Sequence, residues 1–176
     1  MIRLVRVIGI DPGLTRCGIG VVDASVGRAE LVAVGVLRTS SDLGTPERLV
    51  QIEVGLMEWL AEYRPEAMAI ERVFAQQNLL SVMDTMQAAG VASLVGARSG
   101  LDVVYHTPSE VKAAVTGSGS ADKAQVAAMV QRILRLVEPP KPADAADALA
   151  VAVTHAWRGT RTNRYAAAIA KAKGSR

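Results

Sequence analysis

Four carboxylates in three separate stretches of the chain are the side chains best suited to chemistry. Asp11 follows the apolar segment near the start of the chain, Glu71 ends the segment AMAIE, and Asp144 and Asp147 lie in the alanine-rich segment ADAADA. Acidic side chains are seldom buried unless something positive compensates them. Because these apolar segments are expected to be buried, the four acids predict a divalent metal site.

The oxygen ligands of this set favour Mg²⁺ or Mn²⁺. Two charges about 5 Å apart at an effective dielectric near 20 repel by about 3 kcal/mol, so four convergent carboxylates need a compensating cation. A pair of such ions about 3.5–4 Å apart can activate water and stabilise the leaving oxygen in phosphodiester hydrolysis. The predicted reaction class is therefore metal-dependent cleavage of nucleic acid.

Each carboxylate taken singly also has a structural interpretation. The sequence Asp-Pro-Gly that begins at Asp11 is an ordinary turn, Asp144 could cap a helix, and Asp147 would suit a first helical turn. Glu71 is harder to explain in this way, since nothing in its local pattern requires an acid at the end of an apolar strand.

The elements that must position these acids follow from the hydrophobic pattern. Apolar segments separated by turn residues predict an antiparallel meander of strands near 4–10, 18–22 and 29–37. Two more strands are predicted, one ending at Glu71 and one at 101–105, and the predicted helices are 46–64, 78–98, 108–115, 121–136 and 143–157. The predicted fold class is α/β, a five-stranded mixed sheet of three antiparallel and then two parallel strands flanked by helices.

This arrangement predicts that the acids meet. If the first strand and the strand ending at Glu71 are parallel neighbours, Asp11 and Glu71 lie at the same edge, where open α/β sheets tend to bind ligands. Asp144 and Asp147 are three residues apart, so on a helix they share a face about 5–6 Å apart.

The helix predicted at 78–98 is unusually apolar, because Asp84 is its only charged residue between the ends. Burial against both the sheet and a second subunit would explain this composition, and so would enclosure within one subunit.

Two lysines form a candidate anion site. If Ser120 caps the helix predicted at 121–136, Lys123 lies in its first turn, where its charge opposes the helix dipole by about 0.3–1 kcal/mol. A bound phosphate would reverse that penalty, and Lys112 in the preceding short helix could reach the same strand. The alternative is that both lysines are simply solvated.

Phe74 is the only phenylalanine of the chain and lies in a predicted loop just after Glu71. It is a candidate wedge for stacking on nucleic-acid bases, an interaction worth about 1–3 kcal/mol per base. Anchoring of the loop to the core is an equally good interpretation. Arg72 beside it is either a phosphate contact or a surface charge.

Length and composition set the broad class. At 176 residues the chain matches one domain, and its single cysteine, Cys17, cannot form an internal disulfide, so a reducing cytoplasm is the simplest compartment. No uncharged apolar run reaches the roughly 18 residues of a membrane span, so we expect a soluble protein. Cys17 and the two histidines, His106 and His155, are expected to be structural.

The end of the chain is basic, since no acidic residue follows Asp147. We predict a single nuclease domain over residues 1–157 and a flexible tail over 158–176. The tail is either a solvated, fraying terminus or a basic arm that adds salt-sensitive contacts to a polyanion.

Four segments in this order closely resemble the RuvC family of bacterial Holliday-junction resolvases. They are GIDPG at 9–13, AIERVF at 69–74, VK at 111–112 with VTGSGSADKAQV at 115–126, and ADAADALA at 143–150. The first segment alone is shared with many proteins, but all four at this spacing are specific to the family.

The resemblance implies a ribonuclease H-like fold and a homodimer that makes paired symmetric nicks in a four-way DNA junction during recombination and repair. It implies two Mg²⁺ ions per subunit, with Mn²⁺ as a substitute. The residues that match the family's catalytic and metal-binding acids are Asp11, Glu71, Asp144 and Asp147. By analogy Asp11 would bridge the ions, and water would attack to leave 5′-phosphate and 3′-hydroxyl ends.

The resemblance also implies roles for DNA-contacting residues. Lys112 and Lys123 would contact phosphates near the cut, while Phe74, with Arg72 beside it, would probe unstacked bases at the crossover. Family members act with a branch-migration motor of the RuvA and RuvB type, which is the expected protein partner.

Two other classes of protein are compatible with parts of the sequence. The segment GIDPG also resembles the first phosphate loop of actin-like ATPases, but the length of 176 residues argues against their second domain. A junction-binding scaffold without catalysis would keep the lysines and Phe74 but would not need a complete set of four acids.

Overall fold

The computed structural model describes residues 3–74 and 79–173, and side chains as far as residue 158. Within these residues the strands are β1 (Val5–Asp11), β2 (Arg16–Ser25), β3 (Arg28–Arg38), β4 (Ala67–Glu71) and β5 (Asp102–His106). The helices are α1 (Thr45–Tyr63), α2 (Leu79–Arg98), α3 (Pro108–Thr116), α4 (Lys123–Ile133) and α5 (Ala143–Lys173).

The strands form one sheet in the order β3-β2-β1-β4-β5. The pairs β1–β2 and β2–β3 are antiparallel, whereas β1–β4 and β4–β5 are parallel. This confirms the predicted mixed sheet. As a consequence, the ends of β1, β4 and β5 and the beginning of β2 all lie at one edge of the sheet.

The alternation of side chains along β1 divides the core into two layers. Ile8 and Ile10 pack with α1 and α2 on one face, whereas Val7 packs with α3, α4 and α5 on the other. Because successive strand side chains point to opposite faces, Asp11 lies on the same face as Val7. Glu71 lies on that face too, two residues after Ala69, which belongs to the α5 layer.

Glycines in the strands let α5 lie very close to the sheet. A Cβ added to Gly9 would be 2.2 Å from the carbonyl oxygen of Ala148, and one added to Gly20 would be 2.8 Å from the backbone nitrogen of Leu149. Any larger residue at either position would push the helix away, so these glycines set the height of α5 above β1 and β2.

Two predicted helix boundaries are wrong. Ser120 does not cap α4; Asp122 does, because its side chain accepts from the amide of Gln125 while the Gln125 side chain accepts from the amide of Asp122. This capping box satisfies two N–H groups at once. The predicted end of α5 near Trp157 is also wrong, since the helix continues to Lys173 through an alanine-rich segment without proline.

The division into a nuclease domain and a flexible tail stays a prediction, because side chains beyond residue 158 lie outside the described part of the chain. The predicted start of α2 at Asn78 also lies outside it.

Helix α2 lies on the sheet with one side only. Ala88, Ala92 and Val95 are buried against the core. Among the described residues it is the one helix long and apolar enough to cross a membrane by length and composition, a test that core helices of soluble proteins also pass.

Candidate active site

Asp11 and Glu71 are side by side at the sheet edge. The parallel register of β1 and β4 places Ile10 opposite Ile70, so the next residues of the two strands are these two acids. Burial, followed by the negative charges of Glu71 and Asp147, raises the pKa of Asp11 to about 8. Burial and the charge of Asp147 also raise the pKa of Glu71. The hydrogen bond between the two carboxyl groups raises the pKa of Asp11 and lowers that of Glu71, so Asp11 is the donor and Glu71 the acceptor.

The two acids of α5 have a different environment, because each faces a cation. Oδ2 of Asp144 lies 2.7 Å from Nε of Arg16, and Oδ2 of Asp147 accepts a hydrogen bond from Nζ of Lys123 at 3.1 Å. The pKa of Lys123 is raised, mainly by this hydrogen bond to Asp147. The structure thus brings all four predicted acids to one edge, with the helical pair already ion-paired.

Gly18 allows the first turn of α5 to reach that edge. A Cβ at this position of β2 would be 2.1 Å from the carbonyl oxygen of Asp144 and 3.3 Å from the Cβ of Asp11. Gly18 was missed from sequence, although a glycine inside a strand is the usual signal of a close backbone approach. Arg16 was missed as well, because nothing in the sequence shows that it faces Asp144.

Lys112 and Lys123 line a cavity of about 240 Å³ together with Glu71 and Asp147. The positive charges of both lysines oppose the rise in the pKa of Glu71. Carboxylates and ammonium groups therefore share one pocket. The anion site predicted from the two lysines is thus adjacent to the acids.

Phe74 and Arg72 lie beside a second cavity, of about 520 Å³, away from the carboxylates. Phe74 is 50% exposed, so it is not buried in the core. The guanidinium carbon of Arg72 is 5.6 Å from the centre of the Tyr105 ring, a cation–π contact. The role of both residues toward DNA stays a prediction, and residues 75–78 lie outside the described part of the chain.

The other titratable groups singled out from sequence are buried within the protein. Nε2 of His106 and Nδ1 of His155 are 3.2 Å apart, which links β5 to α5, and burial lowers the pKa of both rings. Burial raises the pKa of the Cys17 thiol to about 12, so this cysteine stays protonated and unreactive.

The donor chemistry at the edge fits a divalent ion. Oδ2 of Asp144 is buried and has no hydrogen-bond partner, because no N–H of nearby Arg16 points at it. Carboxylate oxygens are the ligands that Mg²⁺ prefers. No three histidine, cysteine, aspartate or glutamate side chains within residues 3–74 and 79–158 already converge as a metal cage. Ion binding at these acids would therefore separate Asp144 and Asp147 from their cations.

Comparison with known proteins identifies one family. A family model described as "Crossover junction endodeoxyribonuclease RuvC" matches residues 7–155. A curated protein of that name from Nocardioides sp. is 64% identical over 169 residues, which cover 96% of each chain. Its counterpart from Cutibacterium acnes is 57% identical over 175 residues, covering 99% of this chain and 89% of the other.

Solved structures agree with the sequence comparison. The structure of T. thermophilus RuvC in complex with Holliday junction substrate superposes with a TM-score of 0.84 at 38% identity, covering 88% of this chain and 94% of that one. The yeast mitochondrial Holliday junction resolvase Ydc2 gives a TM-score of 0.64 at 12% identity, covering 89% of this chain and 79% of that one, which shows a shared fold.

Proposed function

The chain belongs to the RuvC family of crossover junction endodeoxyribonucleases, and from this we propose that it resolves four-way DNA junctions by paired, metal-dependent nicks in recombination and repair. The observation that carries the proposal is the convergence of Asp11, Glu71, Asp144 and Asp147 at one sheet edge beside Lys112 and Lys123. A junction-binding scaffold would not need two adjacent acids at a place where burial, and then their mutual repulsion, raises the pKa of Asp11.

The four acids are the residues that would hold the metal, two Mg²⁺ ions per subunit with Mn²⁺ as a substitute. Ions bound there supply activation of a water and stabilisation of the leaving oxygen, so that the products carry 5′-phosphate and 3′-hydroxyl ends. Asp11 and Glu71 would give up their shared proton when they become ligands. The lysines would then be free to hold the phosphate.

Lys123 and Lys112 would position the cleaved strand. The side chain of Lys123 is 81% exposed and hydrogen-bonded to Asp147, so its ammonium group lies at the mouth of the site. It is the first residue of α4, where its charge opposes the helix dipole and a phosphate would relieve that conflict.

Phe74 and Arg72 would act at the crossover, where bases are unstacked. The half-exposed ring of Phe74 beside a cavity of about 520 Å³ is suited to stacking on a base. Arg72 would contact a neighbouring phosphate.

A homodimer would give the two equivalent sites that a two-fold junction needs. The outer face of α2 supports this proposal, because Leu79, Met83 and Met86 are 74%, 57% and 59% exposed at helical spacing. A Cβ at Gly90 on the same face would meet nothing within 4 Å. A second copy of the chain would cover this apolar stripe.

Met86→Glu is expected to convert the dimer to monomers in sedimentation experiments, because it places a charge in the middle of the proposed interface. Val137→Glu, the same kind of change at a 97% exposed site, is the control. A Met86→Glu protein that sediments like the control would exclude α2 as the dimer surface.

The cytoplasm is the proposed compartment, and a branch-migration motor of the RuvA and RuvB type is the proposed protein partner. Family membership supports the proposed partner, and the single buried cysteine supports the proposed compartment.

The decisive experiment compares a four-way junction with a linear duplex of the same sequence, each with Mg²⁺ and with EDTA. We expect paired nicks in the junction with Mg²⁺ and no cutting under the other conditions. Junction binding without nicking would favour the scaffold, and equal cutting of the duplex would contradict junction specificity.

A further inference from the structure

Arg16 lies at the edge of the site, and neither the family comparison nor the sequence assigns it a function. It begins β2, its side chain is 43% exposed, and its Nε lies 2.7 Å from Oδ2 of Asp144, whose side chain is 28% exposed. The guanidinium thus reaches from solvent into the carboxylate cluster.

The order of the strands places Arg16 across the site from the lysines. Strand β2 is the neighbour of β1 on the side opposite β4. Asp11 therefore has Arg16 on one side, at the beginning of β2, while Lys112 and Lys123 lie on the other side beside Glu71. A DNA strand passing over the acids would meet a cation on each side of the cut.

The contact between Arg16 and Asp144 is poorly suited to being permanent. No N–H of the guanidinium points at Oδ2, although the two atoms are 2.7 Å apart. Partly exposed ion pairs of this kind contribute only about 0.2–1 kcal/mol. A divalent ion attracts the same carboxylate with twice the charge and would displace the arginine. Arginine also matches phosphate geometry with two parallel hydrogen bonds.

We propose that Arg16 is an exchangeable counter-ion: it neutralises Asp144 until a metal ion binds, and it then moves its guanidinium to a phosphate of the DNA strand on the side of the cut opposite Lys112 and Lys123. The proposal rests on the proposed function and extends it to a DNA-contacting residue. It requires that Arg16 compete with the metal ion in the absence of DNA and assist DNA binding in the presence of metal.

Arg16→Ala tests this exchange, with Arg28→Ala as a matched control. Arg28 also begins a strand and pairs with a carboxylate, that of Glu30, but β3 begins at the opposite edge of the sheet. Both variants lose one charge. Thermal unfolding checks that each is folded, and Arg16→Gln replaces Arg16→Ala if the alanine variant does not fold.

The first readout is the affinity for Mn²⁺ without DNA, measured by the electron paramagnetic resonance of free Mn²⁺. Arg16→Ala should bind Mn²⁺ about two- to fivefold more tightly than wild type, as expected from loss of a competing pair of this strength. Arg28→Ala should bind like wild type. Unchanged or weaker Mn²⁺ binding by Arg16→Ala would overturn the exchange.

The second readout is the salt dependence of junction binding, in EDTA and in Ca²⁺, with the junction checked to be intact. In Ca²⁺, Arg16→Ala should reduce the magnitude of the slope of log K for junction binding against log salt, by the amount expected for about one phosphate contact. In EDTA its slope should match that of wild type. If Arg16→Ala and Arg28→Ala had the same slope in Ca²⁺, the ion pair between Arg16 and Asp144 would be purely structural.

Failure of this inference is distinguishable from failure of the proposed function. Wild type that does not nick the junction with Mg²⁺ would contradict the nuclease. Wild type that nicks it, with Arg16→Ala indistinguishable from Arg28→Ala in both readouts, would contradict only the role of Arg16.

Discussion

The two pairs of acids at the active edge are compensated in opposite ways. Asp11 and Glu71, at the ends of neighbouring strands, face each other and share a proton. Asp144 and Asp147, one helical step apart on α5, each face a cation from another element. In the metal-free protein the strand pair is therefore neutralised by a proton, whereas the helix pair is neutralised by cations.

The difference follows from the elements that carry the acids. A parallel strand pair fixes the spacing of its two backbones, so Asp11 and Glu71 are held side by side. The helix faces β2 on one side and α4 on the other, so Arg16 and Lys123 can reach its acids from their own elements. A metal ion is thus most needed at the strand pair. At the helix pair, a metal ion must displace the cations that already face the two acids.

The largest expected effect on activity comes from replacing one acid of the strand pair. Asp11→Asn should reduce Mg²⁺-dependent nicking to background, because it removes a charged ligand from the most buried part of the site. Junction binding should persist, since the lysines are unchanged. Gel assays of nicking and of junction binding check both statements, with Asp42→Asn at an exposed site as the control. A variant that still cuts would remove Asp11 from catalysis.

A smaller effect is expected from the cation that faces the helix pair. Lys123→Ala should slow single-turnover cleavage about tenfold and lower the salt slope of junction affinity by about one, through loss of one phosphate contact. Lys141→Ala, an exposed lysine in the loop before α5, is the control. If the rate and the salt slope both equal those of the control, Lys123 does not contact the scissile strand.

The strand pair was predictable from sequence, and the pairing of the helix acids was not. Acids at the ends of apolar strands, together with the parallel arrangement, are enough to place Asp11 beside Glu71. Arg16 and Lys123 meet their partners across 128 and 24 residues of chain, contacts that depend on how closely α5 approaches the sheet. That approach is set by glycines such as Gly18, whose effect appears only in three dimensions.

The start of α4 was readable from the sequence, although it was predicted wrongly. Ser120 and Asp122 are both good capping residues. Only Asp122 is followed three residues later by a glutamine, Gln125, which is the sequence signature of the reciprocal capping box found in the structure. The fold class and the order of elements depend on hydrophobic periodicity, which is strong in this chain, whereas single caps depend on energies near 1 kcal/mol.

The smallest expected effect is on the pH dependence of stability without metal, where the strand pair and the helix pair should differ. The pKa of Asp11 is raised to about 8 in the folded protein, so folding opposes ionisation of this group. Its contribution to stability is complete below its unfolded pKa and is lost as the pH rises to about 8. Asparagine does not ionise, so Asp11→Asn does not lose this stability. In EDTA, the free energy of unfolding of the variant relative to wild type should therefore rise by about 1–2 kcal/mol from pH 5 to pH 9.

Asp147→Asn should gain less stability than Asp11→Asn, because it removes a carboxylate that already has a cation. In EDTA at pH 9 the lost hydrogen bond to Lys123 should cost up to about 1 kcal/mol, which offsets the relief of the repulsion that Asp147 exerts on Asp11 and Glu71. Urea unfolding at the two pH values measures both variants against wild type. Equal effects of Asp11→Asn and Asp147→Asn would show that repulsion is shared evenly over the four acids, and the distinction between strand pair and helix pair would fail.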